Sequence, residues 1–162
     1  MMKSALRQGT GSRWPAALLV SILIVLSWHG ESAFAGSAQI GGMRLSCGRA
    51  KVVVSNAVPG PGFAVEGIIL FGPKFLRSYP PLVQRLVFLH ECGHQYVGRD
   101  ETAADCYAVE AGKRQGWLTP AGLAQACKAL WHTVGDGAHL AGPERCDALQ
   151  TCFDAAPGPK GN

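Results

Sequence analysis

The chain has 162 residues, 16% of them charged, and a formal net charge of +4. That length suits one domain with a single core. No basic run, and no basic patch interleaved with aromatics, is present, which excludes a nucleic-acid-binding reading.

The N-terminus reads as a leader. Lys3, Arg7 and Arg13 precede an apolar run from Trp14 to Trp28, and Ala33, Phe34 and Ala35 form an A-x-A cleavage pattern. Residues 1–35 are therefore expected to be a secretory signal peptide cleaved after Ala35. The apolar run is about 15 residues, short of the roughly 20 that span a bilayer. No stable membrane span is expected after cleavage; an uncleaved anchor is the other reading. No cysteine follows the run closely, which argues against a lipoprotein. Three of the 15 basic and one of the 11 acidic residues lie in the leader, so the mature chain carries 12 against 10, a net +2. The expected location is the bacterial periplasm or the extracellular space.

The mature chain starts loosely over Gly36 to Gly42. Lys51 to Ser55 is rich in β-branched residues and predicts a strand. Asn56 to Gly62 is a turn-forming loop. Phe63 to Phe71 reads as a second strand, closed by Gly72 and Pro73. Leu82 to Leu89 has apolar residues at helical spacing. Pro80 and Pro81 suit its first turn and Gly98 its stop. Asp100 is an N-cap for a second helix, whose end is marked by Lys113, Arg114 and Gly116. Thr119 and Pro120 open a third helix through about Thr133, with an apolar stripe at Leu123, Ala126, Cys127, Leu130 and Trp131. Gly135 to Gly142 is a loop, and Pro143 opens a fourth helix through about Phe153. Residues 155–162 read as a disordered tail. The domain proper is thus 36–154.

The first of these helices ends in His90-Glu91-Cys92-Gly93-His94. His90 and His94 are four apart, so both imidazoles leave one face and can clip a metal ion. Glu91 lies one step round, placed to reach a water beside that metal. A site with two histidines needs a third protein ligand, often a carboxylate, and Glu101 at the start of the next helix is the candidate. Asp105, on the same face as Glu101, is placed to accept the other ring N–H of a ligating histidine. Cys92 lies about 200° round the helix from His90, which argues against its being a ligand. The chemistry suggested is metal-assisted hydrolysis of a peptide bond. No residue is singled out as the donor for the tetrahedral oxyanion; His139, His132, Tyr96 and Tyr107 are candidates, with His139 in a glycine-flanked loop able to fold over a cleft.

HExxH followed by a helix reading ExxxD resembles the zincin metallopeptidases of the gluzincin type, over about Leu82 to Gly116. The short gap between His94 and Glu101 is similar to that in the compact members. The resemblance implies His90, His94 and Glu101 as zinc ligands, Glu91 as general base, and Asp105 as support for the histidines. It implies one Zn2+ per chain and a peptide or protein substrate. It also implies an edge strand above the cleft on which extended substrate pairs, for which Phe63 to Ile69 is the candidate. The expected fold is α+β and zincin-like: a short N-terminal sheet, a zinc helix, a second ligand helix and two C-terminal helices. The alternative is a catalytically inactive zincin-like domain that binds zinc or peptide.

All six cysteines lie after the leader, enough for three disulfides in an exported chain. A Cys92–Cys106 bridge is expected if the two ligand helices pack together. Cys127 with Cys146 or Cys152 would staple the C-terminal helices, leaving Cys47 to tie the N-terminal strand.

Overall fold

A computed structural model describes residues 32–34 and 36–159. It is a small α+β domain with five helices, two small sheets and two disulfides. Residues 1–31, which hold most of the expected leader, and residues 160–162 of the expected tail lie outside the described residues. Ser32–Phe34, also within the expected leader, forms strand β1. Among the described residues no helix is long and apolar enough to cross a membrane.

The loose start expected at Gly36 to Gly42 is instead a hairpin of β2 (Ser37–Ile40) and β3 (Met43–Ser46). It is turned by two glycines with positive φ, Gly41 and Gly42. Strand β4 (Lys51–Val54) falls where the β-branched run predicts it. The single strand expected over Phe63 to Phe71 is two, β5 (Gly62–Val65) and β6 (Ile68–Phe71), folded back on each other at Glu66 and Gly67. A two-residue link ending in glycine makes a tight hairpin, and the apolar residues on both sides mask it in the sequence. The sheet order is β1-β4-β6-β5, with β4 and β6 parallel and the other pairs antiparallel. Strand β5 is therefore an edge.

A short helix missing from the sequence reading, α1 (Pro73–Ser78), begins where Gly72 and Pro73 end β6. Helix α2 (Pro81–Val97) starts on Pro81 and stops at Gly98. Its Phe88 and Leu89 pack with Val52, Ile69 and Phe71 of the sheet in one core. The rings of Phe71 and Phe88 stack at 6.1 Å. Two polar residues tie α2 to the β2–β3 turn. The Gln84 amide oxygen accepts from Gly41 N–H at 3.1 Å, and the Arg85 guanidinium donates to the Gly41 carbonyl at 2.8 and 2.6 Å.

Helix α3 (Glu101–Arg114) has the expected Asp100 cap, which accepts from Ala103 N–H at 2.9 Å. It lies close against α2, with Ala104 directly over Gly93. Helix α4 (Pro120–Leu130) is capped by Thr119 and ends three residues sooner than expected. Helix α5 (Gly142–Ala155) packs on α3 and α4. Beyond it Ala156 is buried, and Lys113 donates to the carbonyls of Phe153 and Ala156 at 2.6 and 2.7 Å.

The disulfides are Cys47–Cys92 and Cys106–Cys152. The expected Cys92–Cys106 bridge is corrected. The face of α2 that meets α3 carries Gly93 and His90, and Cys92 is rotated away toward the end of β3. Cys106 in turn faces α5. The bridges thus run from α2 and α3 outward, not between the two.

Candidate metal centre and cleft

The last turns of α2 and the first turn of α3 meet across three residues, Gly98, Arg99 and Asp100. Gly98 has φ 71° and ψ −137°, a backbone state that side chains disfavour. In that state its carbonyl points back at His94 and accepts from Nδ1 at 2.6 Å. His90 Nδ1 lies 2.7 Å from Asp105 Oδ1. Both Nδ1 atoms face groups that only accept, so in the neutral rings each Nδ1 carries the proton and each Nε2 presents a lone pair.

Those lone pairs converge. The two Nε2 atoms are 3.1 Å apart. Glu101 Oε2 is 3.0 Å from His90 Nε2 and 3.4 Å from His94 Nε2. It is buried, and although imidazole nitrogens lie near it, none aims an N–H at it, so it has no hydrogen-bond partner. Three acceptors packed together repel one another unless a cation sits between them. Metal–ligand bonds of about 2.0–2.1 Å in tetrahedral geometry put ligand atoms about 3.3 Å apart, which these spacings match. His90, His94 and Glu101 could therefore hold a metal ion.

Asp105 does more than face His90. Arg145, on α5, donates from Nε to Oδ2 at 2.7 Å and from Nη2 to Oδ1 at 2.6 Å, a two-pronged pair. Burial alone would raise the Asp105 carboxyl, but the hydrogen bonds from His90 and Arg145 and the Arg145 charge outweigh it and hold the group below its ordinary value. Asp105 thus stays ionised and fixes the His90 ring. Arg145 escapes sequence reasoning because 40 residues separate it from its partner.

Glu91 is 7% exposed and lines the same cleft. Burial pushes its carboxyl up, against the opposing pull of His90 and His94. A carboxylate raised toward neutral pH is a better proton acceptor.

The cleft has a volume of about 640 Å³. Its upper wall is β5, whose outer edge has no strand partner among the described residues, and whose Phe63 and Val65 are exposed. Gln95, next to His94, holds this wall in place. Its amide accepts from Gly67 N–H at 2.8 Å and donates to the Val65 carbonyl at 2.9 Å. This clamp is another long-range contact that the sequence does not announce.

Of the four donor candidates, only His139 reaches the cleft. Its Nε2 lies 2.9 Å from Glu101 Oε2, and its Nδ1 lies 3.1 Å from each carboxylate oxygen of Asp136. Hydrogen bonds from the His139 backbone and ring, and from Ala138 N–H, pull Asp136 down to about 2. His132 is exposed and lines no part of the cleft. Tyr96 and Tyr107 stack on each other at 5.3 Å outside it, with the Tyr107 hydroxyl 3.8 Å from Cys92 Sγ. These three do not join the site.

Comparison with protein-family models, with curated proteins and with solved structures finds no match to this chain.

Proposed function

We propose that this protein is an exported, zincin-like zinc endopeptidase with one Zn2+ per chain, acting on an extended peptide or protein substrate. The observation that carries this reading is the convergence of His90 Nε2, His94 Nε2 and Glu101 Oε2 beside the buried Glu91, beneath an edge strand. Two imidazoles and one carboxylate are a donor set that suits catalytic zinc, since a fourth position stays open. Two disulfides fit an oxidising compartment.

Bound there, the ion would supply a Lewis acid for the scissile carbonyl and lower the pKa of water. The rest falls to the chain. Asp105 and Gly98 orient the two imidazoles. The outer edge of β5 offers backbone groups for an extended peptide, with Phe63 and Val65 beside it. Glu91 accepts a proton from the attacking water and passes it to the departing amine. His139, held through Nδ1 by Asp136, donates from Nε2 to the oxyanion when it carries both ring protons as an imidazolium.

The test is metal content by elemental analysis, followed by Glu91→Gln. The expected result is about one zinc per chain, lost in His90→Ala and kept in Glu91→Gln, with peptide hydrolysis absent from the latter. Full hydrolysis by Glu91→Gln would remove Glu91 from its role. Metal without any hydrolysis in the parent chain, across a broad peptide library, would favour an inactive zinc- or peptide-binding domain. A folded chain that takes up no zinc would end the reading.

A further inference from the structure

Cys127 and Cys146 stand outside both disulfides. They belong to the hairpin of α4 and α5, whose register is set by a close backbone contact. A Cβ on Gly142 would lie 2.2 Å from the Leu130 carbonyl oxygen, so only glycine fits. Gly142 N–H also donates to the Thr133 carbonyl at 2.9 Å, and Thr133 N–H to the Leu130 carbonyl at 2.8 Å. Cys127 lies one turn before Leu130 on α4. Cys146 lies one turn after Gly142 on α5. In an antiparallel pair these positions come opposite each other on the same faces. Across the hairpin, Cys146 is close enough to act on the Cys127 thiol. Cys146 is buried and Cys127 partly so, against the core.

We propose that Cys127 and Cys146 form a third disulfide that closes residues 128–145 into a ring. The two side chains by which the C-terminal part of the chain reaches the histidine–carboxylate cluster, His139 and Arg145, both lie inside that ring. The bridge therefore clamps the loop over the cleft at its base and holds Arg145 beside Asp105. This goes beyond the proposed function and does not depend on metal or hydrolysis.

The chemistry is thiol–disulfide exchange with an external disulfide such as oxidised glutathione. Cys127, the more accessible thiol, loses its proton to solvent and attacks one sulfur of the external disulfide. One glutathione thiolate leaves and is protonated. Cys146, once deprotonated, attacks the Cys127 sulfur of the mixed disulfide and expels the second glutathione. The protein pair loses two electrons and two protons, and the external disulfide gains them as two thiols. Burial, then the Cys146 thiol and Asp147, push the folded Cys127 thiol up to about 12. Exchange is correspondingly slow in the folded chain.

The test refolds the reduced full chain in a buffer of reduced and oxidised glutathione, quenches with iodoacetamide and maps the peptides. The expected result is no alkylated cysteine and a linked pair of peptides containing Cys127 and Cys146. Alkylation of both, with Cys47–Cys92 and Cys106–Cys152 formed, overturns the proposal. So does pairing of either with another cysteine. The clamp is read by limited chymotrypsin digestion at Trp131 and Leu140. The Cys127→Ser, Cys146→Ser double variant should be cut several-fold faster than the bridged parent, and an equal rate would overturn the clamp.

Discussion

Replacing Arg145 with alanine removes both prongs of its pair with Asp105 and leaves a buried carboxylate with His90 as its remaining side-chain partner. Breaking a buried pair on one side costs about 3–5 kcal/mol. The Arg145 side chain is 17% exposed and that of Asp105 11%, so water recovers part of this and about 2–4 kcal/mol remains. A folded unit of about 125 residues has a melting entropy of about 0.26 kcal/mol/K. Tm should therefore fall by about 8–15 °C at neutral pH. The loss should depend on pH in one direction. Asp105 is held below the ordinary carboxylate value of 3.8, and a depressed pKa contributes stability above the unfolded value that is lost as pH falls through the folded one. The melting curves of parent and variant should thus begin to converge below about pH 3.8 and meet only below the lower folded value. The same substitution loosens His90, and loss of such support costs about 10–100-fold in metal affinity. The assays are thermal melts by circular dichroism from pH 3 to pH 8 and competition for zinc with a chromophoric chelator. A Tm within 2 °C of the parent at neutral pH would refute the energetic reasoning. A large Tm loss with unchanged zinc affinity would refute the positioning role. Arg145→Lys, which keeps the charge without the fork, should fall between parent and alanine variant on both measures.

Four further outcomes follow from the geometry. His139→Ala should keep its zinc and lower kcat by about 10²–10³ with a smaller change in KM, as loss of an oxyanion donor does; unchanged kcat would rule out that role. Gly98→Ala should cost about 1–3 kcal/mol in chemical denaturation, because alanine disfavours that backbone state, and should weaken zinc binding, since the carbonyl that holds His94 turns away. Gln95→Ala should raise KM for peptides more than it lowers kcat, because it frees the β5–β6 turn while leaving the histidines in place; an effect on kcat alone would contradict this. Removing the Cys47–Cys92 bridge by double alanine substitution opens a loop of 45 residues and should cost about 4 kcal/mol in urea melts by loop entropy.

The sequence alone determined the helical part of the site. Helical spacing, a proline at the first turn, a glycine stop and an aspartate cap are local signals, and they placed α2, α3 and α4 nearly where they stand. The spacing of His90, His94 and Glu101 came with them. Once His90, His94 and Glu101 sit on two helices joined by three residues, the chain has few ways to keep them apart. Strand β4 was legible for the same reason, a short β-branched run. Other features depend on which distant segments meet. Arg145 reaches Asp105 across 40 residues and Gln95 reaches Val65 across 30, and no local pattern encodes either approach. The choice of His139 over His132 rests on how the loop after α4 folds back, which no local pattern fixes. The disulfide partners were hidden because a cysteine's position on its helix says which way it points, but only the packed neighbours decide what it meets. The break at Glu66 and Gly67 is the weakest local signal, because apolar residues flank it on both sides and only the pairing of β5 with β6 reveals the turn.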